Sequence, residues 1–222
     1  GKNGIKSGAS TAEEGEASLT IRELALTIDA PVNDAVNAEQ LLTIESGTLT
    51  ISAGDDALHC DLALSIGADS TAGPTITMTD CCEGIEGATL NIYSGDITIN
   101  AADDCLNAAN SDLSGYDFSI NISGGTITAY TSGGDGFDSN GDLNISGGTV
   151  AVWSASSADN QPLDADGTIR ITGGTVLAAG GSGGMGMSLT AEQPCVVFSF
   201  GGSGGFGGNS GGSALPQGSA FT

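Results

Sequence analysis

Leu143-Asn-Ile-Ser-Gly-Gly-Thr-Val-Ala-Val152 is the segment whose reading decides the fold. It holds two short runs in which apolar and polar residues alternate, joined by a glycine turn, the pattern of two strands that each bury one face. Working outward, the same unit recurs at Leu42-Thr-Ile-Glu-Ser-Gly-Thr-Leu-Thr-Ile51, Leu90-Asn-Ile-Tyr-Ser-Gly-Asp-Ile-Thr-Ile99, Ile120-Asn-Ile-Ser-Gly-Gly-Thr-Ile-Thr-Ala129 and Ile169-Arg-Ile-Thr-Gly-Gly-Thr-Val-Leu-Ala178. Between the copies runs a second element, acidic-small-apolar-polar: Asp34-Ala-Val-Asn37, Asp56-Ala-Leu-His59, Glu83-Gly-Ile-Glu86, Asp104-Cys-Leu-Asn107 and Asp135-Gly-Phe-Asp138. Asn3-Gly-Ile-Lys6 and Gln161-Pro-Leu-Asp164 are its worn ends.

The apolar residue of this element falls at Ile5, Val36, Leu58, Ile85, Leu106, Phe137 and Leu163, at intervals of 31, 22, 27, 21, 31 and 26 residues. Each interval accommodates one coil of three short strands, with loops inserted in the longer coils. An antiparallel sandwich of hairpins is the rival, but the two-residue Asn-Gly type of turn is scarce, and columns recurring in a fixed order are what a solenoid needs. The expectation is an all-β, right-handed parallel β-helix of about seven coils over residues 1–200. A Gly/Ser-rich loop or linker would follow at 201–213, and a last strand or further segment at 214–222.

Composition restricts the partners. Twenty-seven acidic residues against 4 basic give a net charge of −23. Four scattered cations cannot neutralise a run of phosphates, so nucleic acid is excluded, and an anionic membrane surface is disfavoured for the same reason. No run of 18 apolar residues is present to span a membrane. An acidic excess of this kind suits divalent cations, above all Ca²⁺, which takes 6–8 oxygen ligands. Gly1 opens abruptly, as an excised mature fragment would, and a monomer at a bacterial surface or outside the cell is expected.

Strand parity assigns the faces. Leu42, Ile44, Leu90, Ile92, Leu143, Ile145, Ile169 and Ile171 point inward, while Thr43, Asn91, Asn121, Asn144 and Arg170 form an outer column. Thr48, Thr75, Asp96, Thr126, Thr149 and Thr175 form another, the ordinary β-branched surface of a sheet. Stacking also aligns Asp34, Asp56, Glu83, Asp104 and Asp135, with Asp55 and Asp103 beside them and Glu86, Asn107, Asp138 and Asp164 three residues on. Two carboxylates one strand spacing apart, about 4.8 Å, repel by about 1 kcal/mol in bulk water and about 3 kcal/mol near a protein surface. A ladder of five is costly unless cations lie between the rungs, so these eleven residues are the candidate metal ligands. Solvated turn carboxylates bonded to local backbone N–H groups are the plainer alternative. Gly133-Gly-Asp-Gly-Phe-Asp138 matches the start of the calcium-roll nonapeptide, but Asn140 stands where that motif needs an apolar residue and no tandem repeat follows.

The same parity turns Tyr130 and Trp153 outward in adjacent coils, a flat apolar surface for sugar rings, with Tyr93 a weaker addition and Tyr116 in an inserted loop. Corner packing of both rings is the competing reading. His59 has no partner at zinc spacing and reads as a polar turn residue. Cys105 aligns with small inward positions and reads as buried, and Cys60 could bridge to Cys81 or Cys82.

The segments Gly54-Asp-Asp-Ala-Leu-His59, Ala102-Asp-Asp-Cys-Leu-Asn107 and Gly134-Asp-Gly-Phe-Asp138, with the Leu-x-Ile-Ser-Gly-Gly-Thr units, resemble the clostridial-type carbohydrate-binding β-helix domain family. The resemblance covers about residues 1–200. It implies a pectate-lyase-like fold, bound calcium, and cellulose or acidic pectin as ligand. The expected function is therefore non-catalytic, calcium-dependent binding of plant cell-wall polysaccharide. The alternatives are a pectate lyase, a polygalacturonase-like hydrolase using Asp55/Asp56 or Asp103/Asp104, or a structural or adhesive surface protein. A lyase base is short of candidates: Arg170 and Arg22 are the only arginines, and Lys2 and Lys6 lie at the start.

Overall fold

The computed structural model describes residues 2–8, 17–68, 72–155, 160–181 and 189–194. Every element is a β-strand, every pairing is parallel, and the strands stack as a β-solenoid of about seven coils. The predicted repeat column is one continuous ladder: Ile5 pairs with Val36, Val36 with Leu58, Leu58 with Ile85, Ile85 with Leu106, Leu106 with Phe137, and Phe137 bridges Leu163.

That ladder is the first of three faces. The second stacks Ser18–Ile21, Leu41–Ile44, Ser119–Ile122, Asp142–Ile145, Ile169–Ile171 and Leu189–Ala191. The third stacks Leu24–Ala30, Gly47–Ala53, Thr75–Cys81, Asp96–Ala101, Thr126–Thr131, Thr149–Trp153 and Thr175–Ala179. The first two faces join because Leu58–Ile66 and Ile85–Ile92 run unbroken round the corner, where the register slips between Cys60 and Ala63. One extra residue in a strand bends it, and here the bend is the corner.

Each coil buries one set of alternating residues. Leu42, Leu64, Leu90, Ile120, Leu143 and Ile169 pair in one register and lie in the core, as do Leu49, Ile76, Ile97, Ile127 and Val150 on the third face. The Gly-Gly turns are required by this stacking. Gly125, Gly148 and Gly174 have φ of +84°, +84° and +81°. A Cβ on Gly148 would come within 2.8 Å of the Gly125 carbonyl oxygen, and one on Gly174 within 2.7 Å of that of Gly148. Only glycine fits both the backbone angle and the coil beneath.

Cys60, Cys81, Cys82 and Cys105 are free thiols, so neither bridge left open by the sequence is formed, and Cys105 is buried. The linker and terminal strand expected at 201–213 and 214–222 lie outside the described residues.

Candidate acidic metal site and aromatic surface

Two columns of polar residues stand on the first face and its leading corner. On the face, Lys6, Asn37, His59, Glu86, Asn107 and Asp138 pair in succession. At the corner, Asp34, Asp56, Glu83, Asp104 and Asp135 stack through their backbones: Ala35 N–H donates to Asp56 O (2.9 Å), Ala57 N–H to Glu83 O (3.0 Å), Gly84 N–H to Asp104 O (2.9 Å) and Cys105 N–H to Asp135 O (3.3 Å). The two columns interdigitate because both belong to one turn, a carboxylate entering it and a polar residue three positions on.

Some of this charge is met locally, as turn carboxylates do. Asp34 accepts from Asn37 Nδ2 (2.7 Å) and Asn3 Nδ2 (3.3 Å), Glu83 from Asn107 Nδ2 (2.9 Å), Asp104 from the Asp135 N–H (2.6 Å), and Asp135 from the Gln161 N–H. What remains is a surplus of acceptors. Asn37 and Asn107 give a side-chain N–H to a carboxylate and leave Oδ1 behind, and these two oxygens and the side-chain Oε1 of Gln161 are buried with no hydrogen-bond partner among the described residues. Orphaned buried oxygens among crowded carboxylates are what an oxygen-coordinated cation would satisfy.

Two all-carboxylate groups have ligand atoms within 4.8 Å of one another: Asp34, Asp55 and Asp56 at one end of the column, and Asp135, Asp138 and Asp164 at the other. An all-oxygen set suits a hard cation such as Ca²⁺, and both groups fit it. The electrostatics register the crowding. Burial raises Glu83 to about 7, against the Asn107 hydrogen bond, with Glu86 and Asp103 adding to the rise. Burial likewise raises Asp104 to about 7, opposed by its bond from Asp135 and assisted by Asp138. Asp138 is raised to about 6 by burial and by the charges of Asp135 and Asp164, and Asp55 and Asp135 are also raised. Asp103, exposed, borders the column without joining either group.

His59 requires a correction. It is no turn residue; it stands between Asn37 and Glu86 in the face column, its Nδ1 2.8 Å from both Asp56 Oδ2 and Glu86 Oε2 and its Nε2 3.1 Å from Asp61 Oδ1. Burial opposes charging the ring, but the bonds to Asp56 and Glu86 and their charges prevail and raise it to about 11. Burial holds Asp56 above the carboxylate range despite the ring, while for Glu86 burial acts upward but the hydrogen bonds from His59 and Asp56, with the His59 charge, prevail and hold it below. A charged ring is thus a counter-charge for Asp56 and Glu86 in the middle of the column, and the ligand atoms of these three side chains also lie within 4.8 Å of one another, as those of the two carboxylate groups do. The sequence signal was its position: His59 occupies a column otherwise filled by Asn, Glu and Asp.

Tyr130 and Trp153 pair across adjacent strands, 52% and 38% exposed. Corner packing is therefore not their role. Tyr130 lies five residues before Asp135, so the aromatic pair sits at the end of the third face that turns into the acidic corner. Tyr93, 37% exposed, follows the second face and precedes Asp96 at the opposite end of the third. The width of a strand separates it from the pair.

A family model described as carbohydrate-binding domain-containing protein matches residues 1–184. The chain belongs to that family. No curated protein and no solved structure matches it. Membership of that family supports a carbohydrate-binding role.

Proposed function

We propose that this carbohydrate-binding domain is a non-catalytic module that holds plant cell-wall polysaccharide through bound Ca²⁺. The reading is carried by the Asp135–Asp138–Asp164 group, three carboxylates within one ion's reach beside orphaned amide oxygens. A chain of net charge −23 repels polyuronates, whereas an ion with coordination positions left open bridges protein and sugar carboxylates. Tyr130 and Trp153, next to this group along the coil, supply a flat face for a sugar ring, so acidic pectin and neutral cellulose are both ligands. Calcium bridging of this kind belongs outside the cell, where the ion is abundant.

A retaining hydrolase is the second reading, favoured by the proximity of Asp56 and Glu86 and by their opposite shifts. His59 stands between them, however, where the scissile oxygen would have to enter. A lyase base is also poorly placed among the described residues: Lys6 is ion-paired with Glu39, Arg22 with Glu45 at 2.6 Å, Arg170 is on the second face, and Lys2 precedes the first strand. We expect no release of reducing ends from polygalacturonate.

Retention on immobilised polygalacturonate tests the main reading. Wild-type protein should be retained in calcium and released by EDTA, and Asp138→Asn with Asp164→Asn should abolish retention in both. Equal retention in EDTA contradicts calcium bridging. On insoluble cellulose, Trp153→Ala should weaken binding while changing stability by no more than about 0.5 kcal/mol.

A further inference from the structure

The longest connection between strands whose residues are all described, residues 109–118 between Leu106–Ala108 and Ser119–Ile122, builds a groove on the second face, away from the acidic corner. It is pinned rather than draped. Asn110 Nδ2 donates to the Asp61 carbonyl at 2.8 Å, reaching back across the coils, and Asn110 Oδ1 accepts from the Asp112 N–H at 2.9 Å. Tyr116 Oη lies 3.1 Å from Thr89 Oγ1, and the Phe118 carbonyl receives the Asp142 N–H at 3.1 Å. The groove between this segment and the turn at Asn140–Asp142 measures about 520 Å³, within the range of small-ligand sites.

Its floor is a ladder of amides. Asn121 Nδ2 donates to Asn91 Oδ1 (3.2 Å) and Ser119 Oγ (3.1 Å), and Asn144 Nδ2 donates to Asn121 Oδ1 (3.1 Å). The chain ends at Asn144, which with Asn121 lines the groove. The wall carries an aromatic platform: Tyr116 is 36% exposed and is set by Phe118, ring centroids 5.4 Å apart at 55°.

We infer that this groove is a second glycan site, independent of metal, which takes a neutral 1,4-linked polysaccharide running along the solenoid axis. Amides that donate and accept, an exposed ring and carboxylate acceptors suit sugar hydroxyls and C–H faces, and the coils repeat at about 4.8 Å, close to the advance per ring of such a glycan. No basic residue lines the groove, and Asp117 and Asp142 do, which disfavours phosphate, sulfate and uronate. The nearest cation in register, Arg170, stands one coil beyond Asn144. The inference rests on the chain's membership of a carbohydrate-binding family and not on calcium.

Calorimetric titration of the full chain with cellohexaose in EDTA is the test, with hexagalacturonate as a second probe. Wild type should bind cellohexaose without metal. With the Tyr130–Trp153 face removed by Trp153→Ala, cellohexaose should still bind, and adding Tyr116→Ala or Asn144→Ala should weaken that binding at least tenfold, with calcium-dependent retention on polygalacturonate intact and the melting temperature lowered by a few degrees at most, the cost of the lost Asn144–Asn121 bond. Tyr116→Phe, which gives up only the contact with Thr89, should bind as wild type does and so separates ring stacking from loop support. The inference is overturned if wild type does not bind cellohexaose, if binding survives Tyr116→Ala but is lost in Trp153→Ala, or if hexagalacturonate binds more tightly than cellohexaose in EDTA. Failure of polygalacturonate retention in calcium would count against calcium bridging alone.

Discussion

The amide column on the second face and the carboxylate column at the acidic corner are stacked by the same backbone at the same spacing, yet only one is complete in itself. Asn91, Asn121 and Asn144 each carry a donor and an acceptor, so a stack of them closes its own hydrogen bonds. Ionised carboxylates only accept. Repeating them up a solenoid multiplies repulsion and leaves acceptors over, as at Asn37 Oδ1 and Asn107 Oδ1. Repetition is therefore neutral for amides and demands a counter-charge for acids. Within the chain that charge comes from His59, placed between Asp56 and Glu86; elsewhere along the column it must come from solution.

The largest effect should follow from supplying or removing that solution charge. Each site saturated at a hundred times its dissociation constant adds about 2.7 kcal/mol, and for a chain of this size 1 kcal/mol moves the midpoint by about 2–4 °C. Two occupied sites should thus raise the melting temperature in calcium over that in EDTA by about 10–20 °C. A midpoint indifferent to chelation would make the acidic column no different from the amide one.

Next in size is the response to pH without metal. Glu83, Asp104 and Asp138 have folded values of about 7, 7 and 6 against ordinary values of 4.5, 3.8 and 3.8. A carboxyl raised on folding favours the native state in its protonated form, so its contribution is whole below about 4 and is lost as pH rises through about 7. Glu86, lowered, works the other way, whereas the stabilisation from His59, raised from 6.5 to about 11, is whole below 6.5 and declines as pH rises towards 11, which adds to the trend. In EDTA the midpoint should fall between about pH 4 and pH 8, and calcium should flatten the curve. Melting scans across that window check both.

His59→Ala removes the counter-charge between Asp56 and Glu86 and strands one buried and one half-buried acceptor, a loss of about 1–3 kcal/mol. It also vacates the middle of the column, so the stabilisation by calcium should be larger in the variant than in wild type. Smaller still, Asn121→Asp should cost about 1–2 kcal/mol at neutral pH by turning one amide rung into an acid, with recovery once that carboxyl is protonated. An unchanged midpoint would mean that donor and acceptor balance does not distinguish the two ladders.

What the sequence disclosed follows from what a solenoid repeats. The seven-residue apolar column from Ile5 to Leu163, the inward and outward parity, and the pairing of Tyr130 with Trp153 are properties of register, and register is periodic. The acidic column was legible for the same reason, residue by residue. What escaped depends on events between coils or outside the period. His59 differs from its column neighbours by one substitution, and only the approach of Asp56 and Glu86 from two coils gives it a role. The groove under residues 109–118 arises from an insertion that repeats nowhere, held by a contact from Asn110 to Asp61 that no spacing foretells.

Diffraction from crystals grown in calcium, with anomalous differences collected where calcium scatters anomalously, tests the central claim most directly. The account predicts anomalous peaks within carboxylate bonding distance of the Asp135–Asp138–Asp164 group and of the Asp34–Asp55–Asp56 group, and none between Asp56 and Glu86, where His59 remains. Waters alone at both carboxylate groups, in saturating calcium, would contradict it.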